Sequence, residues 1–128
     1  DINRKSIDID LVLDGGEALV ELPKEIINKI ELGCTKASVE ISNLSFDSFE
    51  IDSNDNLDIK ATDIAGSLEI NQINAASTLT IPASYSFRTV TEGKNNTIDV
   101  DASLIPEESS GNKIELNGKG STLVIKPF

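Results

Sequence analysis

The sequence contains no histidine, methionine or tryptophan, and Cys34 is its one cysteine. Without histidine the chain lacks the commonest general base, a Ser-His-Asp triad and the usual zinc ligand. One cysteine excludes an internal disulfide and a cysteine-based metal site. We predict that Cys34 is a small buried side chain, because no histidine and little positive charge surround it to activate the thiol. No catalytic or cofactor-binding motif remains, so we expect a protein that is not an enzyme.

Basic residues and long apolar runs are also scarce. The chain has 11 lysines and arginines against 22 acidic residues, a net charge of −11. A basic stripe for phosphate backbones is missing, so we expect no nucleic-acid partner, and the same charge disfavours anionic membrane surfaces. No apolar run approaches the length of a membrane span. The 128 residues suffice for one domain, residues 1–128, with a slender core.

The chain begins at Asp1 and contains no methionine. We therefore expect a processed or trimmed product, from which any signal peptide or anchor was lost before this numbering begins.

What the sequence does contain is a repeated four-residue unit: small or polar, apolar, acidic or threonine, apolar. Copies are Lys29-Ile30-Glu31-Leu32, Ser38-Val39-Glu40-Ile41, Ser48-Phe49-Glu50-Ile51, Asn56-Leu57-Asp58-Ile59, Ser67-Leu68-Glu69-Ile70, Thr78-Leu79-Thr80-Ile81, Thr97-Ile98-Asp99-Val100, Lys113-Ile114-Glu115-Leu116 and Thr122-Leu123-Val124-Ile125. The alternation within each unit predicts a strand with its two apolar residues on one face. A fixed interval between such units is the signature of a stacked architecture.

Successive units begin about ten residues apart, and the alternate units at Lys29, Ser48 and Ser67 are spaced by 19 residues. This double period favours an all-β, single-stranded parallel β-solenoid with about two short strands per coil. An antiparallel sandwich is the alternative, since strands every 8 to 12 residues also suit it. The predicted inward residues are Val39, Ile41, Phe49, Ile51, Leu57, Ile59, Leu68, Ile70, Leu79 and Ile81.

Around the regular repeats of residues 29–100 lie less regular parts. Residues 1–28 are predicted to form an N-terminal cap segment, with strands at 7–13 and 18–22 and a tight turn at Asp14-Gly15-Gly16. Residues 24–29 suit either a helical turn or the start of a strand. Residues 101–112, rich in Pro, Glu, Ser and Gly, predict an excursion loop, and residues 113–128 predict closing strands, as a hairpin or a final coil.

Two acidic features could attract a ligand. Stacking of alternate units would place Glu31, Glu50 and Glu69 in one column at a spacing of about 4.8 Å. Lys29, Lys60 and Lys113 could relieve the resulting repulsion. We interpret this column mainly as a solvated face, with a cation-attracting or partner-binding face as the alternative.

The second acidic feature is the turn that carries Asp52, Asp55 and Asp58. It offers several hard oxygens of the kind that calcium prefers. It lacks the glycine and the distal glutamate of an EF-hand loop, and Asx-turn chemistry accounts for it without a metal. We therefore predict no metal site there and leave weak calcium binding open.

With these units in view, the chain resembles a bacterial family of putative adhesins, a domain of unknown function. The resemblance rests on strands such as Ser67-Leu68-Glu69-Ile70, the turn Asp63 to Gly66, the strand end Ile81-Pro82 and the stretch Ile114 to Gly118, and it covers about residues 29–126. It implies a single-stranded parallel β-helix or β-roll on a cell-surface or envelope protein, with no catalytic residues to transfer.

The expected function is therefore a non-enzymatic surface or envelope module that binds or spaces an unknown protein or surface ligand, or associates with itself. The alternative is an envelope-associated carbohydrate-active enzyme on a β-helix scaffold. The scarcity of aromatic residues, one Tyr and four Phe, argues against a sugar-stacking platform.

Overall fold

The computed structural model describes residues 8–21, 26–53 and 55–128. This part of the chain is all-β and contains no helix, so it also holds no helical segment that could cross a membrane. Its strands are β1 (Asp8–Glu21), β2 (Ile26–Ser53), β3 (Leu57–Ile73), β4 (Ala76–Ile81), β5 (Arg88–Thr91), β6 (Thr97–Val100), β7 (Lys113–Lys119) and β8 (Thr122–Pro127).

Every pair of strands among these residues is parallel, which rules out the antiparallel sandwich. The pairing forms two sheets, because the long strands β2 and β3 contribute a segment to each. The first sheet has the order 48–53 of β2, 67–72 of β3, β7 and β5. The second has the order 16–21 of β1, 37–42 of β2, 57–62 of β3, β4, β8 and β6. Residues 8–14 of β1 pair with residues 29–35 of β2. Neither sheet closes on itself.

The strand order departs from the chain order at the C-terminal end. β7 lies between β3 and β5 in the first sheet, and β8 lies between β4 and β6 in the second. The last two strands therefore enter between segments that precede them in sequence. β7 and β8 pair with different strands and form no hairpin, so the final-coil alternative for residues 113–128 describes them better.

The buried apolar side chains of both sheets form one cluster. Eight of the ten predicted inward residues, all except Val39 and Ile41, are buried there. The side chains of Val39 and Ile41 lie outside the described ones. The cluster comprises Phe49, Ile51, Leu57, Ile59, Ala61, Leu68, Ile70, Leu79, Ile81, Tyr85, Phe87, Leu104, Ile114, Leu116, Leu123 and Ile125. The period-two pattern thus assigned the inner face correctly along β2, β3 and β4.

Outside the regular repeats the structure differs in detail from the sequence pattern. β1 runs through the tight turn predicted at Asp14-Gly15-Gly16 and pairs with β2 on both sides of Gly15. β2 begins at Ile26, which selects the start of a strand over a helical turn for the described residues 26–29. Residues 101–112 contain no strand, yet Leu104 of this loop is buried in the core cluster.

Candidate functional site

The candidate site is the outward face of the first sheet, where the residues between the buried ones form two columns. Glu50 lies opposite Glu69, and Glu69 lies opposite Glu115. Two residues further along, Asp52 lies opposite Asn71, and Asn71 opposite Asn117. Parallel pairing without a register shift places like positions of the repeat directly above one another. We call these six residues the carboxylate–amide ladder.

Asn71 connects the carboxylates of two strands. Its Nδ2 lies 2.9 Å from Glu50 Oε1, 2.6 Å from Asp52 Oδ1 and 3.4 Å from Glu69 Oε2. An amide nitrogen carries two hydrogens, so three carboxylate oxygens compete for two donors. The amide therefore reduces the repulsion between stacked carboxylates, which would otherwise destabilise adjacent strands.

On β7, Asn117 and Lys113 likewise reduce the repulsion around Glu115. Asn117 Nδ2 donates to Asn71 Oδ1 at 3.0 Å and to Glu115 Oε2 at 2.8 Å. Lys113 Nζ lies 3.0 Å from Glu115 Oε1. These partners cover Glu115, which is only 5% exposed although it points outward. Glu115 thus extends the predicted column onto β7 as a covered position rather than a solvated one.

The column of three glutamates perturbs their protonation. Hydrogen bonding to Glu50, followed by burial and hydrogen bonding to Glu115, raises the pKa of Glu69 from 4.5 to about 7. Burial alone would raise the pKa of Glu115 as well, but hydrogen bonds from Asn117 and Lys113 hold that pKa below its ordinary value. The pKa of Glu69, the middle carboxyl, is thus raised while that of its neighbour Glu115 is lowered.

This arrangement predicts a pH-dependent stability. The pKa of Glu69 is higher in the folded state than the ordinary 4.5, so its stabilising contribution is complete below about pH 4.5 and is lost as the pH rises through about 7. At pH 8, Glu69→Gln should therefore be more stable than the native chain by about 1 kcal/mol, since the carboxyl is partly exposed and the full shift does not apply. The two proteins should converge near pH 4.5.

Denaturant unfolding at several pH values measures this difference. Asp58→Asn is the matched control, since it also removes one negative charge, from an exposed position on the second sheet. It should change the free energy of unfolding by no more than about 0.5 kcal/mol at either pH. If the glutamine variant shows no gain between pH 4.5 and pH 8, Glu69 does not hold a shared proton.

Of the predicted column, the structure places Glu50 and Glu69 together, while the side chain of Glu31 lies outside the described ones. Of the three lysines expected to relieve the repulsion, Lys113 forms an ion pair with Glu115, which extends the column on β7. Lys60 lies on the second sheet, opposite Glu40 and Thr80, and the side chain of Lys29 is not among those described. Sequence reasoning missed Asn71 and Asn117. Their signal is an asparagine two residues after the glutamate in both units, Glu69 and Glu115.

The acidic turn is organised by its own hydrogen bonds. Ser53 Oγ donates to Asp55 O at 2.8 Å and accepts from Asp55 N at 3.1 Å, and Asp55 Oδ1 accepts from Asn56 N at 2.7 Å. Asp52 belongs to the ladder on the first sheet, and Asp58 lies on β3 in the second. The described residues include no group of three acidic, cysteine or histidine side chains arranged to hold a metal.

We accordingly expect calcium to act as an ordinary salt on this protein. Its effect on the melting temperature should match that of magnesium at equal ionic strength. A real site would stabilise the native state by about 2.7 kcal/mol at a hundred times its dissociation constant. A calcium-selective rise in melting temperature that vanishes in Asp55→Asn would contradict the prediction.

Comparison with known proteins gives one informative likeness. No protein-family model matches the sequence, and no curated protein matches it either. The fold is similar to the crystal structure of a protein described as a putative cell adhesion protein from Clostridium sporogenes ATCC 15579. The superposition has a TM-score of 0.63 and covers 99% of this chain and 95% of that chain, at 10% sequence identity. At this identity the likeness concerns the fold alone.

Proposed function

We propose that this chain is a non-enzymatic binding or scaffold module of a bacterial cell surface or envelope, similar to an adhesin. The observation that carries the proposal is the fold shared with the putative cell adhesion protein over nearly the full length of both chains. The stacked parallel sheets support it, since repetitive sheets give extended, rigid binding surfaces.

The finer architecture belongs to the same proposal: a single-stranded β-solenoid in which each coil gives one strand to each sheet. The offsets in register, which stay within 19 to 21 positions, support it. Residues of β1 pair 21 positions ahead, and those of β2 pair 20 positions ahead before the bulge and 19 after it, as in Asp8↔Lys29, Ala37↔Leu57 and Ser48↔Ser67. Residues 29–32 pair with residues 8–11 of β1 on one side. A crystal structure in which residues 29–32 stack on residues 48–51 on their other side would support this architecture, and any other neighbour on that side would contradict it.

A binding role is favoured over catalysis by the chemistry of the ladder. Paired carboxylates for glycoside hydrolysis need one proton donor and one free carboxylate on either side of a bound sugar. Here Glu50 and Glu115 are engaged by asparagine amides, and Glu69 lies directly between them in the same column. We therefore propose that the ladder stiffens the sheet.

The test uses the folded chain, labelled with a fluorophore, on intact cells and on a surface-protein fraction of the source bacterium. Saturable binding that unlabelled chain displaces and heat-unfolded chain does not would support the proposal. The same preparations, together with a glycan array, are assayed for released reducing sugars. Release of reducing sugars would favour the carbohydrate-active enzyme instead.

Two charge-reversal variants would then locate the binding surface. Asp52→Lys changes an exposed position on the outer face of the first sheet, and Lys60→Glu changes one on the second. If only one variant weakens cell binding, the contact lies on that sheet.

A further inference from the structure

The outermost strands of the two sheets leave an open edge at one end of the molecule. Among the described residues, β5 pairs only with β7, and β6 pairs only with β8. In a parallel pair, the N–H and C=O of one residue point to the same neighbour, and those of the next residue point away. Thr97 N donates to Ser121 O at 2.9 Å and Asp101 N to Ile125 O at 2.8 Å. The backbone groups of Ile98 and Val100 therefore face the open side.

The two edge strands are not equally available. On β5, the carbonyl of Phe87 already accepts a hydrogen bond from Glu107 N at 2.7 Å, so the loop of residues 101–112 covers the start of this edge. For β6 the structure shows no such cover in the described part of the chain. Ile98 and Val100 pack against the core cluster but stay partly exposed, whereas their counterparts on β8, Leu123 and Ile125, are fully buried.

The charge around β6 indicates what could pair there. Asp99 and Asp101 are exposed, and Asp99 lies between the two inward residues on the outward face. On β5 the corresponding outer position is Val90, which lies opposite Glu115 as Asp99 lies opposite Val124, so β5 does not share this acidic character. A second copy of this chain has a net charge of −11 and would be repelled by the same surface.

We propose that the free edge of β6 is a binding site for an extended, basic segment of another protein that adds to the sheet as a further strand. The segment would alternate lysine or arginine with valine or isoleucine. Its backbone would pair with Ile98 and Val100, its apolar side chains would cover these two residues, and its cations would face Asp99. Addition of a strand to a sheet edge combines affinity from backbone pairing with selectivity from alternate side chains. This site is separate from the outer face of the first sheet and independent of the proposed surface role.

The probe is a fluorescent peptide of alternating lysine and valine, about seven residues long, tested by fluorescence anisotropy with the full chain. Asp99→Lys should weaken binding about tenfold or more, because it replaces an attraction by a repulsion across the new strand pair. Asp58→Lys is the matched control. Its residue lies in the same column of the repeat, which runs from Asp58 through Thr78 and Val124 to Asp99, but on a strand that is paired on both sides.

Two further measurements separate strand addition from general charge attraction. Two peptides are compared, one with N-methyl groups on its odd-numbered residues and one with them on its even-numbered residues. The peptide whose methyl groups block the amides that face β6 should lose binding, and the other should keep it. On binding, the amides of Ile98 and Val100 should become protected from hydrogen exchange, while that of Asp99, already directed at β8, should change little.

Several outcomes would overturn the proposal. One is no saturable binding at about 1 mM peptide. Others are equal weakening by Asp58→Lys and Asp99→Lys, or binding without protection of Ile98 and Val100. Concentration-dependent self-association that Asp99→Lys abolishes, together with no peptide binding, would assign the edge to a second copy and would also overturn it. Loss of peptide binding alone would leave the cell-surface role intact, because that role is tested on cells.

Discussion

Replacement of Phe49 by alanine should lower the free energy of unfolding by about 3–5 kcal/mol. Phe49 is fully buried and ranks among the largest such side chains in the described part of the molecule. Leu68 lies opposite it on β3, and Ile114 lies opposite Leu68 on β7. Because hydrogen bonds fix the spacing of these strands, the backbone cannot collapse into the space that the ring leaves. Denaturant unfolding of the purified variant measures the loss.

Phe128→Ala is the matched control for this experiment. The same ring is removed, but Phe128 is 63% exposed and lies beyond the end of β8. Its loss should cost no more than about 0.5 kcal/mol. If the two substitutions cost the same, the inner and outer faces have been exchanged, since a shift of one residue along a strand inverts the position of every side chain.

The inward positions could be predicted because they depend on a local signal. Alternation with a period of two decides which side chains share a face, whatever strand lies next to them. Phe49, Leu68 and Ile114 each occupy the second place of their unit, and each is buried. The spacing of 19 residues between alternate units also predicted parallel stacking, because an antiparallel hairpin would bring consecutive units together instead.

The neighbours of the last strands could not be predicted, because every unit looks alike. The units at 113–116 and 122–125 have the same pattern as those inside the repeat, so the sequence does not show where in the stack they enter. The insertion of β7 between β3 and β5 depends on contacts between residues that are far apart in the sequence. For the same reason, the sequence alone could not predict all six residues of the carboxylate–amide ladder. Asn117 meets Asn71 only because β7 lies against β3.

The inserted position of β7 leads to the second large expected effect. Gly118→Ala should destabilise the protein by about 3 kcal/mol or more. Gly118 has a φ of +114°, a conformation that residues with a side chain rarely adopt. A Cβ atom there would lie 1.9 Å from the backbone oxygen of Gln72 on β3. That atom is part of the sheet and cannot move aside as a flexible side chain could.

The backbone at Gly118 also contacts residues 93 and 94, which follow β5, so the destabilisation should extend to that segment. A Cβ on Gly93 would lie 2.1 Å from the backbone oxygen of Gly118, and Lys94 N donates to that oxygen at 3.1 Å. If Gly118→Ala displaces β7 from β3, the pairing of β5 with β7 is weakened as well, and β7 is the one strand that pairs with β5 in the described part of the chain. Amide exchange should therefore accelerate at Glu92 and Lys94, which donate to Leu116 O and Gly118 O.

Gly111→Ala is the matched control for the glycine substitution, since a Cβ atom there meets nothing within 4 Å. It should leave the free energy of unfolding within about 0.5 kcal/mol of the native value, or raise it slightly by restricting the unfolded chain. Calorimetric melting of the two variants side by side, with hydrogen exchange at Glu92, makes the comparison. If Gly118→Ala melts like Gly111→Ala, the chain does not cross so closely at Gln72, and the entry of β7 between β3 and β5 would be wrong. If it melts much lower but exchange at Glu92 is unchanged, the outer segment is held by the loop of residues 101–112 rather than by β7.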